Sequence, residues 1–178
     1  MTGPCLYRRL LGSDFDRMPE VLRRFHDSVG GGASATGVVR VRRGSRALAR
    51  ALARTLRLPP EGDGVAVMLR VTEVAEHERW ERTFGSWRWE TRQWLEGGRL
   101  IERMGAAKFV FDIAADERGM RFRSVRVAWL GVPVPRGIAV EVEGNVRGFD
   151  TEWEIAVVVR APRLGVITSY EGRITPTS

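Results

Sequence analysis

Cysteine is almost missing from this sequence: Cys5 is the only one in 178 residues. It can form no internal disulfide and supply no multi-cysteine metal site, which excludes a disulfide-stapled secreted scaffold. Histidine is nearly as scarce, with only His26 and His77. A multi-histidine metal centre would need added carboxylates, and none of these shows ligand spacing, so no metal is expected. No apolar stretch nears the roughly 18 residues of a spanning helix. The first twenty residues lack the apolar centre of a signal peptide, so the expectation is a soluble cytoplasmic chain without a transmembrane segment. A P-loop, a GxGxxG motif, a nucleophile elbow and HExxH are also missing. A nucleotide cofactor bound by this chain alone is therefore not expected, and the cofactor reading is none.

Lysine is the last scarcity: Lys108 stands alone against 28 arginines. GC-rich codons produce such a skew, leaving arginine as the default solvated cation. Its distribution is more informative than the net charge of +7. Residues 1–58 hold twelve arginines against Asp14, Asp16, Glu20 and Asp27, a balance of +8, and the remainder sums to −1. A basic segment attracts nucleic acid, anionic lipid or an acidic partner. With no base-reading motif, binding to nucleic acid would be sequence-tolerant and strongly salt-dependent, so no sequence-specific nucleic-acid partner is expected.

The length fits a single domain, 1–178, burying roughly 70% of the unfolded surface. Residues 1–58 form a basic, mainly helical part with one strand, and residues 59–178 an antiparallel β part. A short helix is compatible with Leu6 to Leu11, and a second begins near Pro19, whose fixed φ suits a first turn. Phe15, Met18, Leu22 and Phe25 recur at spacings of three and four and form one buried stripe. His26 follows that stripe and reads as a structural hydrogen-bonding residue. Gly30-Gly31-Gly32 is a connector, because the strand-like segment Ala35 to Arg42 follows it. Ser45 can cap a helix to about Leu58, placing Arg46, Arg50, Arg54 and Arg57 opposite Leu48, Ala51, Leu52 and Leu58.

Beyond Pro60 the period changes from 3.6 to 2. Strands are expected over Val65–Glu73, His77–Phe84, Trp87–Leu95, Ala107–Ala115, Met120–Leu130, Ile138–Arg147, Thr151–Arg160 and Val166–Ile174. With residues 35–42 this makes about nine. Short connections imply antiparallel neighbours, and so many sequential strands curl to limit exposed edges. The expected fold class is α+β: N-terminal helices packed on a curved antiparallel β-sheet or β-barrel of about nine strands.

Cross-strand arithmetic points to a pocket. A Gly85-Ser86 turn sets Phe84 opposite Trp87, Arg82 opposite Trp89, Trp80 opposite Thr91 and Glu78 opposite Gln93. Arg82 then shares a face with Trp80, Trp87 and Trp89, an arrangement that serves a core wall or a ligand site equally. A tight turn at Glu117-Arg118 pairs Phe109 with Arg126, Phe111 with Ser124, Ile113 with Phe122 and, on the other face, Asp112 with Arg123. Arg126 on an apolar face needs a partner, either Glu102 or a bound anion. In the last long hairpin Val140, Val142, Val146, Trp153, Ile155 and Val157 share one side. Glu143 opposite Glu154 on the other side would raise a carboxyl pKa if that face is enclosed, although a solvated acidic face is the simpler reading.

Leu6-Tyr7-Arg8-Arg9-Leu10-Leu11-Gly12, Met18-Pro19, Leu22-Arg23-Arg24-Phe25-His26, Leu58-Pro59-Pro60, Trp80-x-Arg82-x-Phe84-Gly85, Gly131-Val-Pro-Val-Pro135 and Tyr170-x-Gly172 together resemble the bacterial domain of unknown function 4166 family over nearly the whole chain. The family occurs alone or attached to Rossmann-type oxidoreductases. The resemblance therefore implies small-molecule metabolism and a Rossmann-type oxidoreductase as a partner, and it assigns no catalytic residues. From the residues themselves, the leading expectation is a pocket lined by Trp80, Arg82, Phe84, Trp87, Trp89, Phe109, Phe111, Ser124 and Arg126. It would take an apolar or amphipathic small molecule with an anionic or carbonyl group, as a binding protein or a cofactor-independent isomerase or cyclase. The alternative is a non-enzymatic adaptor docking its basic helical part on anionic lipid, nucleic acid or an acidic protein.

Overall fold

Period-2 alternation and glycine-rich turns become a closed barrel. The computed structural model describes residues 3–177. Three short helices lead, α1 (Leu6–Leu11), α2 (Ser13–Arg17) and α3 (Glu20–Asp27), followed by β1 (Ala33–Arg43), α4 (Ala47–Thr55) and β2 (Gly62–Val74). Strands make up the rest: β3 (His77–Phe84), β4 (Trp87–Glu96), β5 (Arg99–Met104), β6 (Ala107–Asp116), β7 (Gly119–Trp129), the two-residue β8 (Val132–Pro133), β9 (Glu141–Gly148), β10 (Trp153–Ala161) and β11 (Gly165–Thr177). Their order is β6-β5-β4-β3-β2-β1-β11-β10-β9-β7-β8, with all neighbours antiparallel. A further β6–β7 pairing closes ten strands on themselves, with β8 appended to β7. Closure satisfies the ladder groups that a sheet edge would leave unpaired.

The tenth barrel strand, β5, is one that alternation does not reveal. It is six residues long, and its inward positions are Leu100, Glu102 and Met104, so a carboxylate interrupts the apolar period. β9 begins three residues later than Ile138, because Ile138 and Ala139 donate to the Pro135 carbonyl in a turn. The stripe Phe15, Met18, Leu22 and Phe25 is fully buried but spans α2 and α3, which are broken apart at extended Met18. α4 begins after Arg46 without a side-chain cap, so Ser45 does not close it. Its buried face carries Ala49 and Ala53, whereas Leu48 and Ala51 face solvent with Arg46, Arg50 and Arg54.

Each mouth of the barrel has its own cover. α1–α3 lie over one: Phe25 packs against Trp80 and Trp153, Tyr7 reaches Gln93, and Arg17 pairs with Glu117 on the β6–β7 turn. At the other, α4 and the segment after it set Ala53, Leu56 and Leu58 on Val159, Ala161 and Ile167. Arg43 holds that segment by donating to the carbonyls of Leu58 and Pro59 at 2.6 and 2.9 Å.

Two close approaches require glycine. A Cβ on Gly148 would fall 2.4 Å from the Pro19 ring, so the start of α3 can lie directly on β9. A Cβ on Gly144 would fall 2.0 Å from the Phe122 ring, which lies across that bare backbone on the neighbouring strand. Gly144→Val forces that aromatic aside and should lower stability by about 1–3 kcal/mol, the usual cost of overpacking. Urea unfolding of wild type and variant measures it.

Candidate functional site

The strands enclose a cavity of about 140 Å³ running between the two covers, from Tyr7 and Phe25 at the α1–α3 mouth to Leu56 and Leu58 beside α4. Its wall is overwhelmingly apolar: Phe84, Phe109, Phe111 and Phe122, inward valines from β9 and β10, and Trp153. The inward sides of β9 and β10 are those expected, with Val140, Val142, Val146, Trp153, Ile155 and Val157 all lining the space.

Polar chemistry in this wall is concentrated on β3, β4 and β5. The register is the one a Gly85-Ser86 turn dictates: Glu78, Trp80, Arg82 and Phe84 stand opposite Gln93, Thr91, Trp89 and Trp87. The Arg82 guanidinium lies 5.0 Å from the Trp80 ring centroid and 5.4 Å from that of Trp89. Its Nη1 donates to Thr91 Oγ1 at 2.8 Å and its Nη2 to Glu102 Oε1 at 3.4 Å, while Thr91 Oγ1 donates to Glu102 Oε1 at 2.6 Å. The Arg82 and Glu102 side chains are 15% and 17% exposed, and both line the cavity. The cluster as a whole is electrically neutral. Trp89 adds an indole N–H that is buried and without a hydrogen-bond partner. Tyr170, across the cavity on β11, has its phenol pushed up to about 12 by burial.

Six of the nine residues expected to form a pocket line this cavity: Trp80, Arg82, Phe84, Trp89, Phe109 and Phe111. Three do not. Trp87 is 37% exposed at the rim, its indole N–H donating to the Arg57 carbonyl at 3.3 Å. Ser124 is buried opposite Phe111, but its hydroxyl is occupied in accepting from the Val142 backbone N–H at 2.8 Å, which ties β7 to β9. Arg126 points outward. A β-bulge follows Ser124, so Phe109 faces Val127, and Arg126 stands opposite Val110 on the exposed side. Glu102, one candidate partner for Arg126, serves Arg82 instead.

Other expected pairs are also redistributed. Glu143 stands opposite Val158 and pairs with Arg160, and Glu154 stands opposite Arg147 and pairs with Arg173, so no coupled carboxyl pair forms there. Asp112 does stand opposite Arg123, yet its ion pair is with Arg99 at 2.7 Å. From the sequence, Glu102 was expected only as a partner for Arg126, not for Arg82, and Tyr170 had no place in the expected pocket. Glu102 was hidden with β5, and Tyr170 was legible only as an inward position of the last strand.

The α1–α3 mouth holds a second buried polar group. Tyr7 Oη donates to Gln93 Oε1 at 3.0 Å, and His26 stacks on Tyr7 with ring centroids 3.9 Å apart. Burial lowers the His26 pKa to about 3, so the ring is neutral, and its Nδ1 finds no partner, contrary to the expected hydrogen-bonding role. Glu78 accepts from Trp80 Nε1 at 2.9 Å, and burial raises its carboxyl to about 7.

These features generate two tests. Glu102→Leu strands the Arg82 charge and should cost about 3–5 kcal/mol in chemical denaturation, whereas Arg82→Met/Glu102→Leu should recover most of it. The second test uses pH. Glu78 holds a proton in the folded chain between its ordinary value of 4.5 and about 7, so its contribution to stability falls as pH rises through that window. His26 does the opposite: the unfolded chain binds its proton between about 3 and 6.5, so its contribution rises across that range. The two oppose each other between pH 4.5 and 6.5. In Glu78→Gln the His26 slope stands alone, and melting temperature should climb more steeply over that interval than in wild type.

No curated protein and no solved structure matches the chain. The family described as Domain of unknown function (DUF4166) matches residues 18–174, from the last turn before α3 into β11 and across every strand of the barrel, and the chain belongs to that family.

Proposed function

We propose that the barrel binds a small, largely apolar molecule carrying a carbonyl oxygen, which it holds against the Arg82 cluster. The supporting observation is the contrast within the cavity wall: Arg82 and Glu102 are the charged pair in a largely apolar lining, bridged by Thr91 and set beside an indole N–H on Trp89 that lacks an acceptor. An unsatisfied buried donor is costly, and a carbonyl oxygen would satisfy it. Because Glu102 already neutralises Arg82, a neutral acceptor fits better than a carboxylate, which would meet Glu102 as a like charge. The volume suits a ligand of about one ring, since a dry cavity of about this size takes up benzene.

The same arrangement would serve a cofactor-independent isomerisation. Arg82 would hold a carbonyl oxygen as negative charge develops on it, and Glu102 is the carboxylate within reach of the same site. Binding comes first in either case and is the part to test.

Acetophenone and its hydrocarbon isostere α-methylstyrene separate the polar contact from the apolar fit. Tryptophan fluorescence titration should show acetophenone binding more tightly. Trp89→Phe, which removes the indole N–H, should weaken acetophenone by about five- to tenfold and leave α-methylstyrene nearly unchanged. Equal affinities for the two probes in wild type would defeat the proposal.

A further inference from the structure

The strand directions bring the β1–β2, β3–β4, β5–β6, β7–β9 and β10–β11 connections to one end of the barrel, the α4 end. These connections are tied together. Trp87 donates to the Arg57 carbonyl, Leu130 N–H to the Ala106 carbonyl, and Arg46 to the Arg163 carbonyl. This rim carries most of the large apolar side chains that the described residues expose, namely Leu48, Trp129, Leu130, Val132, Ile138 and Val166. It is also basic. Arg50, Arg54, Arg57, Arg136 and Arg163 are exposed in these connections, and Glu61 is their single acidic residue. On the adjoining strand ends, Asp63 and Glu143 are engaged by Arg40 and Arg42 and by Arg160, and exposed Glu141 stands opposite Arg160.

The opposite mouth differs. Its strand connections carry Glu76, Glu117, Asp150 and Glu152 against Arg118, and the five arginines of α1–α3 are largely offset by Asp14, Asp16, Glu20 and Asp27, which pair with Arg17, Arg8 and Arg24. The asymmetry therefore belongs to the α4 rim and not to the chain's basic composition.

One residue shows that the apolar character of the rim is more than leftover surface. Leu130 and Gly131 form the two-residue turn between β7 and β8, both with positive φ (50° and 83°). Such turns favour Asn-Gly, because a branched side chain is strained there. The chain instead places a leucine at the strained position and leaves it 76% exposed, beside Trp129 and Val132. Nothing in the folded barrel gains from that choice.

We infer that the α4 rim is a docking surface for an anionic phospholipid membrane, with Leu130 and Ile138 entering the acyl boundary and the surrounding arginines meeting the headgroups. Apolar side chains interleaved with arginines match an interface where one layer is hydrocarbon and the next is negatively charged. A nucleic-acid surface would call for the arginines and offer nothing to the leucine and isoleucine. The inference rests on the outer rim and stands apart from the carbonyl-binding reading of the cavity.

Sedimentation of the full chain with vesicles tests it. Phosphatidylcholine vesicles containing phosphatidylglycerol should pellet the protein, and pure phosphatidylcholine should not. Arg50→Gln/Arg54→Gln should weaken binding by about 25-fold, and Leu130→Asp by roughly tenfold. Aspartate tolerates positive φ better than leucine, so Leu130→Asp should melt no lower than wild type, and Ile138→Asp provides a second apolar variant. Acetophenone affinity should be unchanged in all three. Failure to pellet with the anionic vesicles overturns the inference, as does pelleting that both apolar variants leave intact. Tight binding of an oligouridylate that depends on Arg50 and Arg54 but not on Leu130 would reassign the rim to nucleic acid.

Discussion

The ladder between β6 and β7 is the constraint on which the molecule depends, because without it β6 would be a free edge at one end of the order and β7 would lie near the other. Once the two pair, every strand of the ring has an inside and an outside, and alternation along each strand becomes a division between cavity wall and solvent. Eight strands leave an interior that side chains can fill, and ten enclose more space than that. Two structural consequences follow: a cavity persists among large aromatics, and both mouths need covers. The first three helices supply one cover, with Phe25, Tyr7 and His26 lowered onto the rings of Trp80 and Trp153. Leu56 and Leu58, after α4, supply the other.

The interior charge belongs to the same logic. Arginine is held at that depth because Glu102 arrives from two strands away, Thr91 bridges the pair, and two indole faces receive the guanidinium. A pair removed from water gains little stability over an apolar replacement. Folding stability therefore does not account for the pair's place in a largely apolar wall. At the α4 end, on the outside of the barrel, an exposed leucine at positive φ is likewise a feature that folding does not explain.

How much of this was legible in the chain can be traced residue by residue. The β3–β4 register is correct at every expected pair because Gly85-Ser86 is a two-residue turn, which leaves no freedom in alignment. The β9–β10 hairpin slides from its expected register: Glu143 was expected opposite Glu154 and meets Val158. Both strands keep their faces, because the slide amounts to two residues on each. The expected valines therefore still face inward, while the expected carboxylate pair does not form. The bulge in β7 is the opposite case. One extra residue after Ser124 reverses every later side chain, moving Val127 inward and Arg126 outward.

Local physics was enough for whatever repeats at short range: the alternation of most strands, the stripe Phe15–Met18–Leu22–Phe25, the turn glycines, and Arg82 on an aromatic face. A period of two and a tight turn are properties of adjacent residues, so the sequence alone determined them. Tertiary structure decided whatever joins residues far apart: the closure of β6 on β7, the recruitment of β5 and its inward Glu102, the bulge that expels Arg126, and the gathering of Leu48, Leu130 and Ile138 at one rim. These depend on which strands become neighbours when the barrel closes, and no local pattern in the chain encodes that.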